Sequence, residues 1–201
     1  MWDQRYAIED YLFGTSANDF LQQHSTLMPQ CKILCLADGR GRNSVYLASL
    51  GYQVTAVDSS KAGLKKAQQL AKAKGVEITT VQADLTNYEL GTEQWQGIVS
   101  IFFHLAPALR KQLHSKIYSA LKLGGVFLLE AYTPKQLQFK TGGPANAGLT
   151  MQSEALVNEL KPMRLKLNKE LIRDVHEGSG HTPQGAVVQV IGKRQLAHFS
   201  R

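Results

Sequence analysis

Cysteine is nearly absent: Cys31 and Cys35 are the only two among 201 residues. With no secretory signal read in Met1-Trp2-Asp3-Gln4, a disulfide is not expected, and a lone Cys-x-x-x-Cys lacks the partners of a zinc site. Both therefore read as core thiols of one strand face, and no metal is expected. No apolar run approaches the ~18 residues of a membrane span. The expectation is a soluble, cytoplasmic chain without a membrane partner. No Pro/Ser-rich linker and no block of like charge interrupts residues 1–201, which predicts a single domain. The formal charge of +7 is spread along the chain and forms no basic arm. Such a charge can steer an anionic small molecule, whereas a nucleic-acid partner is not expected from it alone.

What the chain does have is concentrated in Ile33-Leu34-Cys35-Leu36-Ala37-Asp38-Gly39-Arg40-Gly41-Arg42-Asn43. An apolar run of strand length stops at Asp38 and two glycines, and Ser44-Val45-Tyr46-Leu47-Ala48-Ser49-Leu50 resumes with helical spacing. Strand, tight loop and helix open a nucleotide-type βαβ unit. Gly39 and Gly41 let backbone approach a ligand, and the helix offers free N–H groups at its start. Ser44 stands where the dinucleotide fingerprint needs Gly or Ala, so the loop departs from that pattern.

A second strand, Gln53 to Asp58, ends in a carboxylate nineteen residues beyond Gly39, at the spacing of an acid that reaches ribose hydroxyls. A third strand, Ile78 to Gln82, is closed by Ala83-Asp84-Leu85, which puts another acid at a strand's carboxyl end. Between them, Ser59 or Ser60 caps a helix with Leu64, Ala67, Leu70 and Ala71 on one stripe and Gly75 as its stop. Its lysines form a solvated face. The continuous run Ile98 to Phe103 suits a central strand, and His104 follows it directly. Pro107 begins a helix with Leu109, Leu113, Ile117 and Leu121 on one stripe, closed before Val126 to Ala131, a fifth strand. Strand and helix thus alternate five times, which predicts a mostly parallel sheet with right-handed crossovers. The tail changes character: a glycine loop around Lys140-Thr141-Gly142-Gly143-Pro144, a helix over 153–160, and two strand-like runs, 163–175 and 186–191, joined by a polar turn. They predict an antiparallel pair at the sheet edge. The fold class is therefore α/β, a Rossmann-like doubly wound sheet of seven strands in a three-layer αβα arrangement. Residues 1–30 form an aromatic N-terminal arm, 31–132 the cofactor-binding core, and 133–201 the substrate-side loop, helix and hairpin.

This pattern resembles the class I S-adenosylmethionine-dependent methyltransferases over nearly its full length. The likeness is carried by Leu36-Ala37-Asp38-Gly39-Arg40-Gly41, Asp58, Ala83-Asp84-Leu85, Ile98-Val99-Ser100-Ile101, the Gly124-Gly125 pair before strand five, and the closing hairpin. Within that superfamily it is similar to the small bacterial branch that includes tellurite-resistance methyltransferases, through Trp2-Asp3-Gln4-Arg5-Tyr6, Tyr11-Leu12-Phe13-Gly14, Asn18-Asp19-Phe20-Leu21, Gly39-Arg40-Gly41-Arg42-Asn43 and Thr141-Gly142-Gly143-Pro144. The resemblance implies S-adenosylmethionine as cofactor. It also implies that Asp38, Gly39 and Gly41 lie against the methionine part, that Asp58 holds the ribose hydroxyls and that Asp84 with Leu85 contacts the adenine. Arg5, Ala37, Asn43, Ser59 and Phe103 are expected among the cofactor-binding residues as well. Arg5 of the arm pairs with a carboxylate in this reading. An aspartate that the superfamily often carries at the position of Gly97 is missing.

Methyl transfer from a sulfonium is an in-line displacement, so the protein's task is to hold a lone pair against the methyl carbon. His104, at the end of strand four, is the catalytic candidate, because an imidazole there takes a proton or orients an oxyanion. Tyr132, Lys140, Thr141, Arg173, His176 and His181 are substrate-side candidates. His24, His114 and His198 read as surface histidines. The expected activity is methylation of a small molecule, an anionic or soft nucleophile such as a chalcogen oxyanion or thiol. Two alternatives stand beside it: a non-catalytic S-adenosylmethionine-binding regulator, and an RNA methyltransferase, although Phe103-His104-Leu105-Ala106 stands where an Asn-Pro-Pro-Tyr-like motif would follow strand four.

Overall fold

The computed structural model describes residues 3, 14–175, 177–178 and 184–195. Its sheet has seven strands: β1 (Lys32–Leu36), β2 (Gln53–Asp58), β3 (Thr79–Gln82), β4 (Trp95–Ile101), β5 (Leu121–Tyr132), β6 (Arg164–Asp174) and β7 (Gln184–Lys193). Their spatial order is β3-β2-β1-β4-β5-β7-β6. The first five run parallel, and β7 pairs antiparallel with both β5 and β6. The expected antiparallel pair is present, with β7 joined to the sheet and β6 at its edge.

Five α-helices among the described residues flank the sheet: α1 (Asp19–His24), α2 (Arg42–Ser49), α3 (Lys61–Ala73), α4 (Pro107–Ala120) and α5 (Ser153–Glu159). Period-2 alternation in β1 sends Ile33 and Cys35 to one face and Leu34 and Leu36 to the other. The first face packs with Phe20 and Leu21 of α1 and Leu47 of α2. The second packs with Leu113 and Ile117 of α4 and Leu156 of α5. Central strands buried on both faces follow from this three-layer arrangement, as the near-continuous apolar runs foretold.

Local chemistry fixes the helix ends. The Asn18 side chain accepts the Leu21 N–H at 3.0 Å to start α1. Ser60, not Ser59, caps α3 by accepting from the Gly63 N–H at 3.0 Å. Pro107 opens α4, where its missing N–H costs nothing. Three boundaries differ from expectation. Helix α4 ends at Ala120, so Leu121 opens β5 instead of closing a helical stripe, and Leu109 is exposed. Strand β4 stops at Ile101 because Phe102 turns left-handed, with φ 51°. Residues 83–94, between β3 and β4, contain no helix, so the alternation of strand and helix breaks there. That link is pinned by side chains, Leu85 and Leu90 being buried and Trp95 Nε1 donating to the Leu90 carbonyl at 2.7 Å.

Gly97 answers the missing aspartate. A Cβ there would lie 2.5 Å from Met28 Sδ and 2.6 Å from Ile33 Cδ1, so the methionine closing the α1 side takes the space a side chain would need. His114, expected on the surface, is buried on α4. It bonds through Nδ1 with Glu159 at 2.9 Å, while Arg110 grips the same carboxylate at 2.7 and 3.0 Å.

Candidate functional site

The carboxyl ends of β1, β2 and β4 meet where the chain direction of the sheet connections reverses, on either side of β1, the place where open parallel sheets bind ligands. The glycine turn between β1 and α2 lies there. Gly39 and Gly41 have φ of 58° and 86°, and Gly41 is the residue before α2. A Cβ on Gly41 would stand 2.5 Å from the Ala67 side-chain carbon and 2.7 Å from its backbone carbon, so glycine is required both by the backbone and by the packing of α3.

Asp58, at the end of β2, is buried and binds this turn directly. Its Oδ2 accepts the Gly39 N–H at 2.8 Å and its Oδ1 the Ser60 N–H at 2.8 Å. Each carboxylate oxygen retains a further lone-pair direction for a hydroxyl donor. Burial raises the Asp58 pKa, and the two N–H groups partly offset that rise. The Asp58 carbonyl accepts from Ala83 N at 3.0 Å, which joins the end of β3 to the same rim. Asp84 is exposed, and its Oδ1 accepts from Thr86 N at 2.9 Å and Oγ1 at 2.8 Å, which holds its pKa below the usual value. Leu85 beside it is buried.

Asp38 is buried within the turn. Ser44 donates to it twice, from Oγ to Oδ2 at 2.5 Å and from N to Oδ1 at 3.3 Å. Burial pushes the Asp38 carboxyl up to about 7 against the opposing Ser44 bonds, and the charge of Asp58 adds to the rise. The serine that breaks the dinucleotide fingerprint thus has its own task, binding the acid of the loop.

At the ends of β4 and β5 three rings stack. Tyr132 lies 4.5 Å from Phe102 and 5.8 Å from His104, with interplanar angles of 25° and 10°. The His104 Nδ1 is 3.0 Å from the Leu149 carbonyl, which only accepts, so Nδ1 carries the proton and the lone pair of the neutral ring lies on Nε2. Tyr132 is 1% exposed. Burial, with the Glu177 and Glu130 carboxylates, raises its phenol pKa well above the ordinary value.

The other substrate-side candidates are held differently. Thr141 Oγ1 donates to the Gln184 carbonyl at 2.5 Å and accepts from Gln136, fastening the glycine loop to β7. Lys140 is exposed with φ 55°. Arg173 forks onto Glu130 at 2.8 and 2.7 Å. Arg5, His176, His181 and His198 lie outside the described residues. Sequence reasoning missed Glu130, Glu177, Asn18 and Gln189, which join Arg173 and Arg42 in one buried polar network. The signal available was Glu130 itself, an acid inside the apolar run of β5 whose burial demands partners. Among the described residues no three His, Cys, Asp or Glu side chains gather as a metal site.

A glycine turn bonded to a strand-end carboxylate, on a 3-2-1-4-5-7-6 sheet, defines a class I S-adenosylmethionine-dependent methyltransferase fold. Comparison with known proteins agrees. Residues 33–125 match the family described as "Methyltransferase domain". The carboxy-S-adenosyl-L-methionine synthase of Nautilia profundicola is 27% identical over 164 residues, 74% of this chain and 70% of that protein. The probable S-adenosyl-L-methionine-dependent methyltransferase TehB of Haemophilus influenzae is 32% identical over 97 residues, 46% of this chain but only 33% of its own length. The crystal structure of TehB from that organism superposes with a TM-score of 0.71 at 20% identity, covering 87% of this chain and 61% of that one. A structure from echinomycin biosynthesis, titled for conversion of a disulfide bond into a thioacetal group, gives 0.77 at 15% identity, covering 98% and 92%. The match over residues 33–125, the relatives and the shared fold support an S-adenosylmethionine-dependent methyltransferase that uses S-adenosylmethionine as its cofactor.

Proposed function

We propose that this protein transfers a methyl group from S-adenosylmethionine to a small molecule, an anionic or soft nucleophile such as a chalcogen oxyanion or a thiol. The observation that carries the reading is the 2.8 Å bond from Gly39 N–H to Asp58, which makes the glycine turn and the strand-end acid one rigid unit. The donor set fits an adenosyl group. Asp58 and Ser59 would hold the ribose, Asp38, Gly39, Gly41, Ala37 and Asn43 the methionine part, and Asp84, Leu85 and Phe103 the adenine side. The cofactor, when bound, supplies an electrophilic methyl on a sulfonium.

The chain's own work is alignment and proton handling. His104 accepts a proton at Nε2 from an acceptor that arrives protonated, and the Leu149 carbonyl stabilises the resulting imidazolium through Nδ1. The stacked rings of Phe102 and Tyr132 back the imidazole and shield it from water. Arg42 and Arg173 are already neutralised by Glu177 and Glu130, and the exposed Lys140 of the glycine loop offers positive charge to an anionic acceptor. A second reading, carboxylation of the cofactor itself, is favoured by the Nautilia relative that covers 74% of the chain.

Calorimetry with S-adenosylmethionine and S-adenosylhomocysteine tests the cofactor half: both bind the wild type, and Asp58→Ala loses about 10–100-fold, the worth of hydrogen bonds to a charged group. Labelled-methyl transfer to tellurite, selenite, thiols and tRNA tests the acceptor. Turnover of tRNA alone would establish the RNA reading, binding without any turnover would leave a regulator, and a mass gain on the cofactor would establish carboxylation.

A further inference from the structure

The buried network beside the glycine turn links three parts of the chain. Arg42 and Asn43 are the first two residues of α2, directly after Gly41. Arg42 Nη2 reaches Glu177 Oε2 at 2.5 Å, across 135 positions of sequence, with side chains 11% and 4% exposed. The other oxygen of Glu177 accepts from Asn18 Nδ2 at 2.7 Å. Asn18 in turn donates its backbone N–H to Asn43 Oδ1 at 3.0 Å. Glu177 therefore holds both residues that begin α2, Arg42 directly and Asn43 through Asn18.

The electrostatics require this. A cation in the first turn of a helix faces the positive end of the peptide dipoles. Buried there without a counter-charge, Arg42 would be driven outward and carry the turn with it. The rest of the network leaves Glu177 no substitute. Glu130 is saturated by Arg173, Gln189 Nε2 at 2.7 Å and Asn18 Nδ2 at 2.6 Å.

We propose that Glu177, delivered from the connection between β6 and β7, is a positioning residue of the cofactor pocket. It fixes the Gly39–Asn43 turn through Arg42 and Asn18 and so sets cofactor affinity from the far end of the chain. This rests on reading that turn as the cofactor loop.

Titration of S-adenosylhomocysteine into the full chain tests it with a double-mutant cycle. Glu177→Gln keeps an acceptor for Asn18 but removes the charge facing Arg42, and weakens binding about tenfold, while Glu177→Gln with Arg42→Gln binds no more weakly than Arg42→Gln alone. Leu113→Ala, in the α4 core, lowers the melting temperature and leaves the affinity at the wild-type value. Should Glu177→Gln fail to fold, Arg42→Lys reads the same contact, keeping a charge but losing the Nη2 that reaches Glu177 Oε2, and again weakens binding. Wild-type affinity in Glu177→Gln, or effects of the two substitutions that simply add, overturn the proposal. A flat titration with the wild-type chain overturns the cofactor reading beneath it and is recognised as such.

Discussion

Ala37 and Phe102 stand one residue beyond the ends of the neighbouring strands β1 and β4, and both adopt left-handed backbone, with φ of 50° and 51°. Neither is a residue type suited to that region, where a Cβ costs ~1–2 kcal/mol. Two such residues side by side at the point where the sheet changes direction mean that strain is stored at the rim of the pocket and held by its surroundings. Phe102 is held by its stacking on Tyr132 and by its N–H, which donates to the Glu130 carbonyl at 2.7 Å. Ala37 leads the chain into Asp38.

Ala37→Gly removes the strain at the cost of a more flexible unfolded chain. The two effects differ by roughly 0.5–1 kcal/mol in favour of the variant. Calorimetric melting is expected to rise by about 1–4 °C, the conversion for a chain of this size. A lowered melting temperature would show that the turn does not carry the strain its backbone angles indicate.

Asp38 makes stability depend on pH with a definite sign. Its carboxyl titrates near 3.8 when exposed and is pushed up to about 7 by burial. Below 3.8 folded and unfolded chains both hold the proton, and nothing is lost. From there to about 7 the unfolded chain releases it while the folded chain keeps it, so stability falls as pH rises, by at most roughly 4 kcal/mol, and levels off above. Asp38→Asn cannot titrate, and Ser44 Oγ is free to turn its proton to the Gly41 carbonyl, 3.2 Å away. Denaturant midpoints measured between pH 4 and 8 are expected to fall more steeply for the wild type than for Asp38→Asn. Parallel curves would exclude a buried, titrating Asp38.

Gly41→Ala meets two obstacles together, a φ of 86° and a backbone atom of Ala67 at 2.7 Å from the new Cβ. The expected loss is about 3 kcal/mol or more, beyond a simple left-handed penalty, because α3 must move away from α2. Adding Ala67→Gly removes the side-chain carbon at 2.5 Å and leaves the backbone carbon at 2.7 Å, so it restores part of the stability only. Chemical denaturation of the single and double variants gives both numbers.

The parallel sheet, the hairpin and the row of strand-end acids were legible because each rests on local signals: apolar runs, caps, and glycine or aspartate where a strand stops. Ser60 caps α3 as its sequence position suggests. What was not legible depends on distant contact. Nothing around Glu177 announces that it meets Arg42, and Arg173 reads equally well as a ligand for substrate until Glu130 is seen beside it. The end of β4 at Ile101 was also hidden, since Phe103 continues the apolar run and only the turn at Phe102 breaks it. His114 illustrates the same limit: on helical spacing it lies on a face that looks exposed, and α5, bringing Glu159, buries it.

That pairing gives a last test. Among the described residues, Glu159 is the carboxylate that Arg110 and His114 share, each of them buried on α4. Burial would raise its pKa, but the bonds from His114 and Arg110 outweigh this and hold it at about 2. Its stabilising effect is therefore complete above 4.5, its ordinary value, and is lost as pH falls towards about 2. Glu159→Gln keeps the shape and one acceptor oxygen but removes the charge, leaving Arg110 buried without this counter-ion, its Nη1 still on the Thr150 carbonyl at 3.0 Å. Breaking a buried ion pair from one side costs about 3–5 kcal/mol, and the partial exposure of Glu159 places this variant at the lower end. Thr150 follows Leu149, whose carbonyl fixes His104, so the same substitution is expected to slow methyl transfer while S-adenosylhomocysteine binding stays unchanged. If stability falls and turnover does not, the loop is held by its backbone alone and Arg110 has no part in placing the imidazole.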